Sequence, residues 1–140
     1  IIGGFKAEGT DGKYLNSLEY ISVKSPENIK KGWNFINLDN SIFKVNLSLS
    51  AMGVINYSNN TILICGGFGG KEYGKKIYRF EIDEKSGAPS QISETNKTLP
   101  FGAFFFNNNF IRYEKNVYSY DFAQNLLMYD LEKDEFSKIS

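Results

Sequence analysis

The sequence predicts an all-β fold. Its apolar residues fall in short runs, rich in aromatic and β-branched side chains and bounded by Gly, Asn, Asp or Ser. No window carries a helical apolar stripe over three turns. Aromatic residues make up 16% of the 140, which places the chain among folded domains and not disordered segments.

The runs follow one another along the chain. Leu18, Tyr20 and Ile21 form one. Val54 and Ile55 precede a polar turn cluster, Asn56 to Asn60, after which Ile62, Leu63 and Ile64 form the next. Ile77, Tyr78, Phe80 and Ile82 alternate partly with Arg79 and Glu81. Further runs are Phe104 to Phe106, Phe110-Ile111, Val117-Tyr118 and Leu126 to Tyr129. Many short strands separated by turns predict a sandwich, a barrel or a propeller.

Internal repetition discriminates among these. Ile2-Gly3-Gly4-Phe5 recurs as Cys65-Gly66-Gly67-Phe68, each at the end of an apolar run and before a polar, Gly-containing loop. Each loop enters a second aromatic strand, Asn16 to Ser22 and Lys75 to Glu81, and Gln124 to Asp130 is a third copy of that strand. After a polar turn, each unit ends in a short strand: Trp33 to Ile36, Pro89 to Ile92, and Phe136 to Ile139.

This order resembles the kelch repeat, whose unit runs from an apolar strand with a double glycine, through a Tyr-containing strand, to a large aromatic on the last strand. The matching residues are Gly3, Gly4, Tyr20 and Trp33 in the first unit, and Gly66 and Gly67 with Tyr78 or Phe80 in the second. In the third they are Tyr129-Asp130 followed by Phe136. The second unit departs from the pattern by lacking a final Trp, and the third by having Ser119-Tyr120-Asp121 in place of the double glycine. The resemblance implies a fragment of a kelch-like β-propeller built of four-stranded antiparallel blades, at residues 1–38, 48–93 and 99–140. The glycines would leave room for a neighbouring blade's aromatic and permit backbone angles that a Cβ forbids. Trp33 and Phe136 would be equivalent residues packed at blade boundaries.

A kelch unit is roughly 50 residues, and a propeller needs about 4–8 of them. The chain supplies about three, and the first begins at Ile1 without its innermost strand. The sequence is therefore expected to be part of a longer polypeptide, or to find its missing blades in another segment or partner. Alone, its two open flanks should expose apolar faces.

Composition narrows the chemistry. There is no His and one Cys, Cys65, so no Ser-His-Asp triad, Cys-His pair, His-based metal site or internal disulfide can form. Lone Cys65, on an apolar run, reads as a buried thiol in a reducing compartment. Lys plus Arg and Asp plus Glu are 16 each, a balance that argues against non-specific binding to nucleic acid or to anionic membrane. No apolar stretch is long enough for a transmembrane helix, and no signal peptide is visible, so the expected location is cytoplasmic.

Three patterns touch on chemistry and carry little. Gly69 to Lys75 nearly matches a phosphate loop, but Lys76 replaces the magnesium-binding hydroxyl and Ile77 to Phe80 continue as strand, so a flexible inter-strand loop is the expectation. Asp83-Glu84 and Glu132 to Glu135 sit in polar turns and do not read as a catalytic pair or a calcium loop. Phe101, Phe104, Phe105, Phe106 and Phe110 lack the interleaved cations of a base-stacking platform and read as blade core.

The resemblance implies a non-catalytic protein-interaction module or scaffold, with no cofactor and no metal. Some kelch-like propellers are copper oxidases, but their metal needs histidines absent here. The alternative is a carbohydrate-active propeller enzyme whose active residues lie mostly in blades outside this stretch. Kelch-like scaffolds are often cytoskeletal, ciliary or ubiquitin-ligase components. The expected partner-binding loops run from Phe5 to Asn16 and from Phe68 to Lys76. They carry Lys6, Glu8, Asp11, Lys13, Lys71, Glu72, Tyr73 and Lys75, a mixed set suited to selecting a protein partner within a larger assembly.

Overall fold

The structure is a computed structural model. It describes residues 3, 5–6, 13–105 and 109–140, with Phe5 and Lys6 described by their backbone alone. Strands dominate, as the short aromatic runs predict. The first unit holds β1 (Phe5–Lys6), β2 (Lys13–Tyr14), β3 (Ser17–Tyr20) and β4 (Asn34–Asn37). β1 pairs with β2 and β3 with β4, all antiparallel. Gly3 N–H donates to Ser17 O at 2.8 Å, carrying the β1–β2 hairpin on toward β3.

The second unit is one four-stranded antiparallel sheet of β5 (Gly53–Ser58), β6 (Thr61–Cys65), β7 (Lys76–Ile82) and β8 (Pro89–Thr98), paired in chain order. The third repeats that order with β9 (Ile111–Tyr113), β10 (Asn116–Tyr120), β11 (Leu126–Asp130) and β12 (Glu135–Lys138). Both are open sheets of successive hairpins, the arrangement of a propeller blade.

Side-chain alternation gives each sheet two faces. The front face of the central sheet, Ile64, Tyr78, Phe80 and Ile92, packs with Leu18, Leu38 and Leu47, and with half-buried Tyr20 and Ile36. Its back face, Ile55, Leu63, Cys65 and Ile77, packs with Val117, Leu127, Tyr129 and half-buried Phe136 of the third sheet. The central sheet is thus covered on both sides. That explains why Leu63, Ile64 and Cys65 are all buried in succession, where a sheet with one wet face would alternate.

Gly3 and Gly66, the first glycine of each pair, sit where adjacent units approach closely. Gly66 has φ +68, and a Cβ there would lie 2.7 Å from Ala103 O and 3.0 Å from the Phe105 ring. Gly3 has φ +62, and its Cβ would meet Leu49 O at 2.5 Å and Leu47 O at 2.7 Å. In both units the glycine faces the backbone of the segment that leads into the next sheet. The third unit instead has Asp121 at this end, buried and accepting from the Asn125 backbone N–H at 2.8 Å to close a short turn.

Several expectations need correction. Trp33 is 61% exposed and Phe35 65% exposed. They are two residues apart and share the front face of the first unit, which no sheet covers among the described residues. Phe136, by contrast, lies with its ring centroid 4.4 Å from that of Tyr129. Hydrogen bonding also shifts the repeat register. Gly3 N–H bonds Ser17 O and Gly66 N–H bonds Lys76 O, so Leu18 corresponds to Ile77, and Tyr20 to Arg79. The polar stretch before Trp33 contains a short helix, α1 (Pro26–Lys31), capped by Ser25. The segment 101–105 is not a strand, although Phe105 is buried between the second and third sheets; Phe106 lies outside the described residues.

Two contrasts test this packing. Gly66→Ala combines a left-handed backbone with a backbone clash, and should cost about 3 kcal/mol. Gly32→Ala, also at positive φ but with nothing within 4 Å of the added Cβ, should cost about 1 kcal/mol. Urea unfolding of the two variants reads the difference. In dilute solution Trp33→Ala should change stability by less than about 0.5 kcal/mol, and Phe136→Ala should cost about 2 kcal/mol.

Candidate functional site

The turn from β6 to β7 builds a projecting loop with a cleft beside it. Its outgoing limb is fixed where Phe68 and Ser50 exchange backbone hydrogen bonds at 2.9 and 3.0 Å. Phe68 also bridges to Tyr73 across the loop. The returning limb is bonded to the chain that leaves the second sheet, Leu99 N–H to Lys75 O at 2.8 Å and Ala103 N–H to Gly74 O at 3.0 Å. Gly74 N–H closes the base on Gly67 O at 2.7 Å. The sequence suggests a flexible loop; in the structure backbone hydrogen bonds hold both of its limbs at the base.

Beside it lies an open cleft of about 540 Å³, lined by Asn46, Ser48, Lys71, Glu72, Tyr73 and Lys75 among others. The linker that supplies Asn46 and Ser48 is tied down by Asn16. Its side-chain amide donates to Asp39 Oδ1 at 2.7 Å and to Val45 O at 3.2 Å, and its Oδ1 accepts from Leu47 N–H at 2.7 Å. Tyr78 also lines the cleft, and its hydroxyl donates to Asn46 O at 3.2 Å. Lys76 is held above the ordinary lysine pKa, chiefly by its hydrogen bond to Glu94 at 3.1 Å.

Aromatic rings connect this loop to its neighbours. Tyr14 meets Phe68 edge-on at 6.1 Å, and Phe68 meets Tyr73 at 5.6 Å and Phe104 at 6.2 Å. Tyr73 stacks on Phe104 at 5.8 Å, and Phe104 meets Phe122 at 6.1 Å. The series crosses all three units at one end of the sheets, and Tyr73 and Phe122 remain 43% and 61% exposed. Such rings offer large contact area with few rotatable bonds to order.

The predicted loop residues separate accordingly. Lys71, Glu72, Tyr73 and Lys75 come together at the cleft. Lys13 is exposed on β2. Glu8 and Asp11 lie outside the described residues, as does the side chain of Lys6. Sequence reasoning missed Asn46, Ser48 and Phe122. For Phe122 a signal existed, since Asp121-Phe122 follows an apolar strand as Gly67-Phe68 does.

A second, smaller cleft of about 210 Å³ lies at the outer boundary of the second and third sheets, lined by Arg79, Thr95, Lys97, Asp134 and Phe136 among others. Lys97 Nζ donates to Asp134 Oδ2 at 2.7 Å, and the Tyr129 hydroxyl donates to Asp134 Oδ1 at 2.5 Å. Partial burial works to raise the Asp134 pKa, but the hydrogen bonds from Lys97 and Tyr129 outweigh it and hold the carboxyl below its ordinary value. Burial, then the bond to Asp134, raises the Tyr129 phenol above its own. Cys65 is fully buried and its thiol is pushed up to about 12, so it stays protonated and is no nucleophile.

Among the described residues no group of His, Cys, Asp and Glu is placed to hold a metal ion, and no helix is long and apolar enough to cross a membrane. Comparison with models of protein families and with curated proteins gives no match.

The Asp134 network sets a pH response with two ends. The depressed carboxylate contributes stability above its unfolded pKa of about 3.9, and that contribution is lost as pH falls through the lower folded value. The raised phenol contributes below about pH 10 and loses its contribution as pH rises toward its higher folded value. Asp134 is half exposed, so Asp134→Asn should cost less than about 1 kcal/mol at neutral pH. Its stability should also depend less on pH at both ends than the parent's, as read by thermal unfolding across pH.

Proposed function

We propose that the chain is part of a kelch-like β-propeller that serves as a protein-interaction module, binding its partner with the loop face at the glycine ends of the sheets. The observation that supports this is the loop after β6, held at its base by backbone hydrogen bonds, with Lys71, Glu72, Tyr73 and Lys75 at the mouth of one cleft. A loop whose base is bonded before a partner arrives has less chain to order on binding. Exposed Tyr73 and Phe122 supply apolar anchors, and the flanking lysines and glutamate select by charge. Assignment to a cytoskeletal, ciliary or ubiquitin-ligase assembly follows the kelch resemblance alone.

A sugar-hydrolysing site would need two carboxylates facing one another across a cleft. Among the described residues lining this one, Glu72 is the single acid.

The test is capture of partners by the immobilised chain, compared with Tyr73→Ala and with Lys71→Glu combined with Lys75→Glu. Tyr73→Ala should weaken a captured partner by at least tenfold, about 1.4 kcal/mol or more, as for an aromatic anchor. The charge reversal should slow association most at low salt. Equal binding by all three proteins would reject the loop face.

A further inference from the structure

We infer that the cleft beside the β6–β7 loop takes an acidic stretch of the partner polypeptide, with its carboxylates on Lys71 and Lys75 and an apolar side chain of the same stretch on Tyr73. The inference rests on the loop-face reading and deepens it by giving the partner its chemistry.

The polar side chains lining the cleft are mostly donors. Lys71 and Lys75 offer ammonium groups, Ser48 a hydroxyl and Asn46 an amide. Asn46 Oδ1 already accepts the Ser48 N–H at 2.9 Å, which leaves the amide nitrogen to donate. Glu72 is the single acid among the described lining residues. An ammonium has three N–H donors and no acceptor, so a carboxylate matches this set and another cation does not.

Charge is spread unevenly over a chain that carries none overall. Ion pairs join Lys76 to Glu94, Arg79 to Glu81, Lys97 to Asp134, Lys115 to Glu132 and Lys133 to Asp130, and so neutralise cations along the sheets. Lys71 and Lys75 are exposed and have no ion pair among the described residues. Lys13 adds an exposed cation at the same end, because the ring of its neighbour Tyr14 would lie 3.1 Å from a Cβ at Gly70. Two further acids near the loop are engaged. Asp39 Oδ1 accepts from the Asn16 amide at 2.7 Å, and Asp121 is buried with its carboxylate on Asn125. The cleft is therefore a cationic place on a neutral molecule.

The lysines stand beside a ring, and that selects the kind of anion. Tyr73 is 43% exposed and stacks on Phe104 at 5.8 Å, so its free face offers apolar area that a lone carboxylate cannot use. A peptide carrying both acidic and apolar side chains uses both. A nucleotide fits less well. The loop has a phosphate-loop spacing, but it leads into strand β7 and so lacks the helix N-terminus that holds phosphate. A nucleic-acid strand would need a longer track of cations along its backbone.

The experiment is fluorescence anisotropy of the purified protein with a labelled synthetic peptide that has three glutamates on each side of a phenylalanine. The controls are the counterpart with lysines in place of the glutamates, and labelled single-stranded oligothymidylate. The protein should bind the acidic peptide at least tenfold more tightly than either control, and its affinity should fall as salt is raised. Lys71→Gln combined with Lys75→Gln should weaken it at least fivefold, and Lys71→Arg combined with Lys75→Arg should keep it. Lys30→Gln combined with Lys31→Gln removes the same charge from α1 and should change nothing. That helix lies at the other end of the sheets, where Asn28 bonds Ser22 and Ser22 bonds Ser86, beyond the far end of β7. All these side chains are exposed, so thermal unfolding of the variants should match the parent. Equal binding of the two peptides overturns the inference. So does undiminished binding by the Lys71→Gln, Lys75→Gln protein, loss equal to its own in the α1 variant, or oligothymidylate bound as tightly as the acidic peptide. If the acidic peptide fails while Tyr73→Ala still loses a captured partner, the acidic chemistry is rejected and the loop face stands; if both fail, the loop face falls too.

Discussion

The close approach of backbone to backbone at the glycine ends of the sheets is the constraint on which the remaining structure depends. Ala103 O lies 2.7 Å from where a Gly66 Cβ would be, and it accepts the Gly67 N–H at 2.8 Å. Because the two units touch there through main chain, the separation between sheets at that end is set by hydrogen-bond length and not by side-chain size. Beside this contact the space between the second and third sheets is filled by Cys65, Ala103 and the Phe105 ring, and further along by Leu63, Leu127, Tyr129 and Phe136.

Polar links also join the units. Ser22 donates to Ser86 O at 2.7 Å between the first and second units, and Lys97 reaches Asp134 between the second and third. Each link joins a turn or edge strand of one unit to the next, where water is near and the net gain is modest. They contribute register more than stability. The apolar clusters alone would tolerate sliding of one sheet over another, and a directional hydrogen bond between units opposes it.

Much of this was legible in the sequence, and the parts that were not have physical reasons. The strands after Gly3 and Gly66 announce themselves by aromatic runs between turn residues, and the repeated Gly-Gly-Phe triplet locates the close approach. The α1 helix was missed because its signature is capping chemistry, not periodicity. Ser25 accepts from Asn28 N–H, Pro26 opens the first turn, and Gly32 ends it, in a segment too short for an apolar stripe. Phe104 and Phe105 read as strand by composition, yet the segment serves as the wall that the glycines approach, and tertiary contact overrides propensity there. Trp33 reads as core because it is large and apolar. Sequence alone does not say that its face of the first unit would be left uncovered.

The candidate loop shows how far residue type alone can carry a site. Lys71, Glu72, Tyr73 and Lys75 were recognisable as a polar, Gly-flanked projection, but not as neighbours of Asn46 and Ser48, more than twenty residues earlier in the chain. That adjacency exists because Ser50 pairs with Phe68, which extends the second sheet past its last regular strand residue and draws the linker alongside the loop. The same pairing places Phe68 between Tyr14 and Phe104, so one backbone bridge both shapes the cleft and centres the aromatic series. The surface offered to a partner is thus a by-product of the way the sheets are joined. Its rigidity comes from the same main-chain hydrogen bonds that fix the glycines, so the loop face and the inter-sheet spacing should loosen or tighten together.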